Sequence, residues 1–196
     1  MENIFSIAIA FFFLANPIGN TPAIISLLKD IDFQRQKKIM FRESIFALLI
    51  AFFFIFCGNA FLSLIQVKEY TLGITGGVLL FLVSIEMIFP KYHTQISYET
   101  KKEPFIVPIA TPLISGPALM TIVMLKAHTE SFLKLSLAVT IAWIGVTSIL
   151  SAAPYLQKIL GKRGLATIEQ LMGMLLGMMG VNSIINGIQK FIEMSS

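Results

Sequence analysis

The stretch "ANPIGNTPA", residues 15–23, lies inside a long apolar run and carries two prolines, a glycine and two asparagines. Proline has no N–H, and its ring clashes with the carbonyl four residues back, so Pro17 and Pro22 both interrupt a helix. In lipid, a carbonyl that loses its helical partner costs several kcal/mol unless another group satisfies it. The stretch therefore predicts a broken membrane helix that is buried among other helices or faces a polar cavity.

The composition predicts an integral membrane protein. Of the 196 residues, 56% are hydrophobic and 13% are charged, and the mean hydropathy is +0.80. Soluble domains have about a quarter of their residues charged. This chain has too few polar side chains to cover a water-exposed surface. Its net charge of +4 is interpreted as a sign of membrane orientation, and no nucleic-acid partner is predicted.

The charged residues are grouped, and the segments between them predict six transmembrane helices. Five of these segments contain no Asp, Glu, Lys or Arg, and the third is interrupted only by Glu86. Each is long enough to cross a hydrocarbon layer of about 30 Å. The segments cover residues 3–28, 44–67, 70–90, 104–125, 135–157 and 170–189. The predicted fold is an all-α integral membrane protein, with residues 1–196 forming a single membrane domain.

The basic residues predict how the chain is oriented. With six spans, the loops after spans one, three and five lie on one side and hold eleven of the 15 Lys and Arg residues. The positive-inside rule places that side in the cytoplasm and both termini on the outer face. The first span follows no basic segment, so it is predicted to be retained and not cleaved as a signal peptide.

The opening stretch has a second copy. "ANPIGNTPAIIS" (residues 15–26) aligns with "ATPLISGPALMT" (residues 110–121) at a shift of 95, and both prolines match. A second match at a shift of 96 places residues 77–88 over residues 173–184. The alternative is chance similarity between apolar segments.

The repeat predicts two halves of three spans each, residues 1–90 and 104–196, joined by a cytoplasmic connector at residues 91–103. An odd number of spans per half gives the halves opposite orientations, which is the inverted repeat common in secondary transporters. In such proteins a pair of interrupted helices at matching positions marks the substrate site. Spans one and four are therefore expected to be broken near mid-membrane and to form the site.

The two breaks predict a site for a small zwitterion. Thr21 is expected to be the N-cap of a short helix that starts with Pro22, and Ser115-Gly116-Pro117 is expected to act similarly. Helix N-termini suit a carboxylate, and free carbonyls with Asn side chains suit an ammonium group. The candidate substrate-binding residues are Asn16, Pro17, Gly19, Asn20, Thr21, Thr111, Ser115, Gly116 and Asn182. The alternative is a pair of proline kinks that serve packing alone.

Other polar residues leave alternatives open. Glu86 is a functional candidate as a carboxylate inside a span, or it reaches the interface near Pro90. Asn182, Asn186 and Gln189 share one helix face, where they line a polar path or bond neighbouring helices. The glycine pairs Gly73/Gly77 and Gly173/Gly177 predict close helix packing.

The motifs resemble those of a known family. Asn16-Pro17-Ile18-Gly19-Asn20, followed by Pro22, resembles the first-span motif of the MarC family of six-span bacterial and archaeal membrane proteins. "EPFIVPIATPLISGP" (residues 103–117) resembles its fourth-span motif, and "GGVLLFL" (residues 76–82) and the closing "LMGMLLGMM…NG" (residues 171–187) also fit. The resemblance covers essentially the whole chain. It implies a multi-pass inner-membrane protein, grouped with LysE-type exporters, and an archaeal relative regarded as a neutral amino-acid transporter implies an amino-acid solute. Asn16 stands where many members have Asp, and an amide cannot carry a coupling proton.

The sequence thus predicts a transporter of a small polar or zwitterionic solute in the lipid bilayer, coupled to a proton or a sodium ion or to neither. No cofactor, metal or enzymatic activity is predicted, because the single Cys57 cannot form a dithiol pair and His93 and His128 fall on opposite sides of the membrane. Import or export and the oligomeric state are left open. The alternative function is a membrane scaffold or assembly factor that transports nothing.

Overall fold

The computed structural model describes residues 3–64, 66–89 and 104–195, and the chain there is helical apart from short connections. The helices are α1 (Ile4–Ala15), α2 (Thr21–Leu27), α3 (Phe33–Leu64), α4 (Glu69–Ile88), α5 (Pro117–Thr129) and α6 (Phe132–Ser195). A π-helical segment, Ile109–Ile114, precedes α5 and is called the π segment below. The all-α prediction is confirmed. The predicted connector and His93 lie outside the described residues.

Four helices within the described residues are long and apolar enough to cross a membrane: Phe33–Gly58, Tyr70–Ile88, Phe132–Leu156 and Arg163–Met194. They correspond to predicted spans two, three, five and six. The segments predicted as spans one and four are each divided, the first into α1 and α2 and the fourth into the π segment and α5. The helices are therefore interrupted in the two segments where the paired prolines predict it.

The label α6 covers two helices that meet at Gly161 without an intervening loop. Within α6, Gly161 has φ 64° and ψ 178°, a backbone conformation that residues with a Cβ avoid. The kink at Gly161 separates Phe132–Leu156 from Arg163–Met194.

The beginning of α3 differs from the prediction. The charge pattern places the start of span two at residue 44 and assigns the preceding charged residues to a loop, but the helix begins at Phe33. Charged side chains do not interrupt the backbone hydrogen bonds of a helix, so their positions do not mark where the helix begins. The first turns are anchored from the side, since Lys37 Nζ lies 4.3 Å from the ring centre of Tyr155 on α6.

Helices α4 and α6 pack antiparallel at close range through small residues. Gly77 lies against Gly180, where a Cβ on Gly77 would be 2.6 Å from the Gly180 carbonyl oxygen. Further along, the Ser183 hydroxyl donates to the Gly73 carbonyl at 2.8 Å. The predicted packing role of these glycines agrees with the contact.

Buried polar bonds join α3 to α6 within the apolar core. The indole Nε1 of Trp143 donates to the Ser44 carbonyl at 2.8 Å, and the hydroxyls of Ser44 and Thr147 are 2.6 Å apart. Trp143 and Ser44 are both buried. Large apolar side chains such as Phe56 and Leu133 are instead exposed on the outside of the helices, which suits hydrocarbon surroundings. The bonds from Trp143 and Thr147 hold the middle of α3 against the first part of α6.

Candidate functional site

The first break is built around Asn16, which ends α1. Its φ of 46° and ψ of 52° are left-handed, a conformation that asparagine tolerates better than most residues. Its N–H bonds the carbonyls of Phe12 and Phe13, each at 3.1 Å. Its side-chain Oδ1 accepts from the Gly19 N–H at 3.2 Å. Asn16 therefore both closes α1 and shapes the turn that follows.

The start of α2 differs from the predicted cap. Thr21 is the first residue of α2, not its N-cap, and Pro22 is the second. The physical reason is that Asn20, at φ −77° and ψ −14°, is already in the helical region. The buried Thr21 hydroxyl donates to the Pro17 carbonyl at 2.8 Å. Thr21 therefore satisfies a carbonyl within the break.

The second break contains a short irregular segment. Within the π segment, Thr111 is extended at φ −138° and ψ 135°. The N–H groups of Leu113 and Ser115 reach carbonyls five residues back, on Pro108 and Ala110.

Pro117 begins α5, as predicted, and Gly116 precedes it as the N-cap. Ser115 does not cap α5 with its side chain. Its buried hydroxyl donates instead to the Ala47 carbonyl of α3 at 2.8 Å. The serine thus ties the second break to the middle of α3.

Asn20 joins the two breaks directly. Its Nδ2 donates to the Leu113 carbonyl at 2.7 Å and to the Ala15 carbonyl at 3.1 Å. Leu113 lies four residues before Pro117, which has no N–H to offer a helical bond. Asn20 therefore supplies a donor to one carbonyl of each broken segment, across 93 residues of sequence.

The first break lies next to the end of α4. The Asn16 side chain contacts the Met87 sulfur at 3.2 Å, and Met87 is one residue from the C-terminal end of α4. The same methionine packs against Gly19, where a Cβ would lie 2.5 Å from its terminal methyl. The depth of the breaks in the bilayer stays a prediction.

Asn182 does not join the other candidate residues. It follows Gly173 by nine residues, and Gly173 is the part of α6 that contacts Met87. At 1.5 Å per residue, Asn182 is therefore about 14 Å further along α6. It is exposed and lines a shallow open groove with residues of α4 and α6, none of which belongs to either break.

The remaining polar candidates also lie on the surface. Glu86 is exposed close to the end of α4, and Asn186 and Gln189 are exposed on α6 beyond Asn182. Whether Glu86 or this face has a function stays a prediction.

The charge pattern missed a buried carboxylate. Glu43, assigned to a loop, lies in α3 with no exposed side-chain surface, one helical turn before Ala47. Its Oε1 accepts from Arg42 Nε at 2.9 Å and Nη2 at 2.8 Å, and Arg42 Nη2 also donates to the Pro104 carbonyl. Within the described residues, Glu43 Oε2 is buried without a hydrogen-bond partner. One feature of the sequence could have indicated its burial, since Glu43 directly precedes the apolar segment at residues 44–67.

The chemistry of the breaks is hydrogen bonding. They bring together the amides of Asn16 and Asn20, the hydroxyls of Thr21 and Ser115 and several backbone carbonyls, which are groups that can bind a polar solute. In the part of the chain that the structure describes, no three His, Cys, Asp or Glu side chains come together as a metal site.

Comparisons with known proteins identify relatives over the full length. Residues 1–192 match the family described as "MarC family integral membrane protein". The chain is 35% identical to "UPF0056 inner membrane protein YhgN" of Escherichia coli (strain K12), covering 98% of this chain and 100% of that one. It is 35% identical to a "UPF0056 membrane protein" of Buchnera aphidicola subsp. Baizongia pistaciae, with 97% and 98% covered, and 31% identical to one of Chlamydia trachomatis, with 96% and 94% covered. No solved structure matches it.

Proposed function

The chain belongs to the MarC family of integral membrane proteins, and we propose that it transports a small polar or zwitterionic solute, with neutral amino acids as the first class to test. As the name of the Escherichia coli relative states for that protein, we place this chain in the inner membrane. We further propose that its helices form two three-span halves in an inverted repeat. The family description itself names no substrate.

The bond between the two breaks is the observation that supports transport best. Asn20, from the first break, donates to the carbonyl of Leu113, from the second. If the halves move against each other, as in other inverted-repeat transporters, this contact between them must open. A solute with its own donors and acceptors can replace it at little net cost, because one hydrogen bond is exchanged for another.

A scaffold is the second candidate, and one observation favours it. The hydroxyls of Thr21 and Ser115 are fully buried and already donate to carbonyls of the protein itself, on Pro17 and on Ala47 of α3. Buried hydroxyls that are bonded within the protein are expected in a scaffold that never opens, and equally in a transporter in its closed state. The two functions differ in whether the Asn20–Leu113 contact is exchanged for a solute.

Flux measurements separate the two functions. Purified protein in liposomes is expected to move labelled neutral amino acids, and Asn20→Leu and Ser115→Leu are expected to reduce the flux to that of protein-free liposomes. The control is Thr140→Leu, since the exposed Thr140 hydroxyl bonds only the Ser136 carbonyl of its own helix among the bonds the structure gives. Circular dichroism and monodisperse elution verify folding. Wild-type flux in both site variants would show that the breaks are structural.

We also propose that the segment around Gln36 is cytoplasmic and that both termini lie outside. The loops after predicted spans one, three and five, which include Gln36, hold eleven of the 15 basic residues, and such loops face the cytoplasm. Cysteines introduced at Gln36 and Ser196 in a Cys57→Ser background are expected to react with an impermeant maleimide from opposite sides of inner-membrane vesicles. If both positions react from the same side, the inverted repeat is wrong.

A further inference from the structure

We propose that Glu43 is a proton-binding site that is linked to the second break. Its carboxylate is fully buried, and Arg42 satisfies one oxygen while the other has no partner within the described residues. An ionised carboxylate oxygen can only accept hydrogen bonds, and an acceptor buried without a donor is unfavourable. A proton bound at Oε2 neutralises the carboxylate, and a neutral carboxyl is less costly to bury with one oxygen unpaired than a charged one.

A proton suits this site better than a metal ion. Sodium would need several oxygen ligands, and the nearby Ser44 groups are already engaged with Trp143 and Thr147 on α6. The guanidinium of Arg42, 2.8 Å from Oε1, would also repel a metal cation. A proton requires only the free oxygen. The side chain of Arg42 is 32% exposed, so the carboxylate lies directly behind a residue that reaches the surface.

The charged and titratable groups along this part of α3 and on the elements packed against it are as follows. Arg42 is bonded to Glu43, and the segment before the π segment contributes the Pro104 carbonyl. Towards the start of α3, Lys37 is bonded to Tyr155 of α6. On α5, Lys126 and His128 belong to the last turn, at the end away from Pro117.

Two contacts connect the carboxylate to the second break. Arg42 bridges Glu43 to the carbonyl of Pro104, five residues before the π segment. One turn beyond Glu43, the Ala47 carbonyl holds Ser115. Protonation removes the negative charge that holds Arg42, and this loosens the bridge to Pro104. If the protein is a transporter as proposed above, this carboxylate is its coupling site.

Infrared spectroscopy tests proton binding without any transport assay. In protein reconstituted in nanodiscs and titrated between about pH 4 and pH 9, a protonated buried carboxyl gives a C=O band above that of hydrated carboxyls. We expect this band in the wild type and in Glu193→Gln, which replaces an exposed carboxyl near the end of α6, and we expect its loss in Glu43→Gln. A band that persists in Glu43→Gln, or the absence of such a band from the wild type, overturns the proposal. If Glu43→Gln does not fold, Glu43→Asp replaces it: the shorter side chain moves the carboxyl, so the band is expected at a different frequency, and an unchanged band overturns the proposal.

A liposome experiment tests the coupling separately. Glu43→Gln is expected to lose solute accumulation driven by a pH gradient while keeping solute exchange at equal pH, and Glu193→Gln, at an exposed position near the end of α6, is expected to keep both. Driven accumulation by Glu43→Gln at the wild-type level overturns the coupling role. If the wild type moves no solute, the transport proposal fails, and the infrared result still decides whether Glu43 binds a proton.

Discussion

Gly77→Ala is expected to destabilise the folded protein by about 1–3 kcal/mol, the range for an extra methyl group in a tightly packed interior. The new Cβ would lie 2.6 Å from the Gly180 carbonyl oxygen and 2.9 Å from the Ile184 backbone nitrogen. Both are backbone atoms of α6, so no side-chain rotation can relieve the contact. The helices must separate, and the close approach that drives packing between membrane helices is lost.

Gly73→Ala is the matched control, because it adds the same methyl group to the same helix one turn earlier. There the nearest atoms, the Gly187 Cα and the Ser183 carbonyl oxygen, would be 3.6 Å from the new Cβ, an ordinary contact distance. SDS-induced unfolding in mixed micelles should show a clear loss of stability for Gly77→Ala and little change for Gly73→Ala. Equal losses for the two variants would contradict the α4–α6 packing.

These two glycines illustrate what the sequence predicts and what it leaves out. The spacing of Gly73 and Gly77 predicts a small-residue face, and that face does meet α6. Nothing in the spacing distinguishes the two positions, because the difference depends on the rotation and height of α6 against α4. The helix breaks, in contrast, were predictable from the sequence. The missing N–H of a proline disrupts the hydrogen bonding of its own helical turn and does not depend on a neighbouring helix.

In the candidate site, too, the sequence predicts the local features but not the contacts that depend on packing. Asn16 and Asn20 stand out in the sequence because asparagines are unusual in an apolar segment. The bond from Asn20 to Leu113 spans 93 residues and depends on how the two segments pack. Asn182 was grouped with them because the repeat aligns it with Glu86 and because it lies on a polar face near the centre of span six, but neither observation fixes its height relative to the breaks. Glu43 was placed in a loop because charged residues usually end a span, although its neighbours bury it.

Asn20→Asp is expected to damage the protein at neutral pH more than Asn20→Leu, although aspartate has almost the shape of asparagine. Both partners of Asn20 are carbonyl oxygens, which only accept hydrogen bonds, so the side chain must present its NH2 group to both. Asn20→Leu removes the donor and leaves two poorly hydrated carbonyls, at a cost of about 1–3 kcal/mol each. An ionised aspartate also places a negative charge against both oxygens, which adds repulsion at low local dielectric.

The charge makes this prediction testable by pH. Once protonated, the carboxyl of the Asn20→Asp variant is neutral and can donate one hydrogen bond, so acidification should recover part of its stability. The Asn20→Leu variant has no group to protonate and should show only the pH response of the wild type. Thermal unfolding of the three proteins between about pH 5 and pH 8 measures the difference. If Asn20→Asp is as stable as the wild type at neutral pH, Asn20 does not join the breaks as a donor. The two segments are then held together by packing alone.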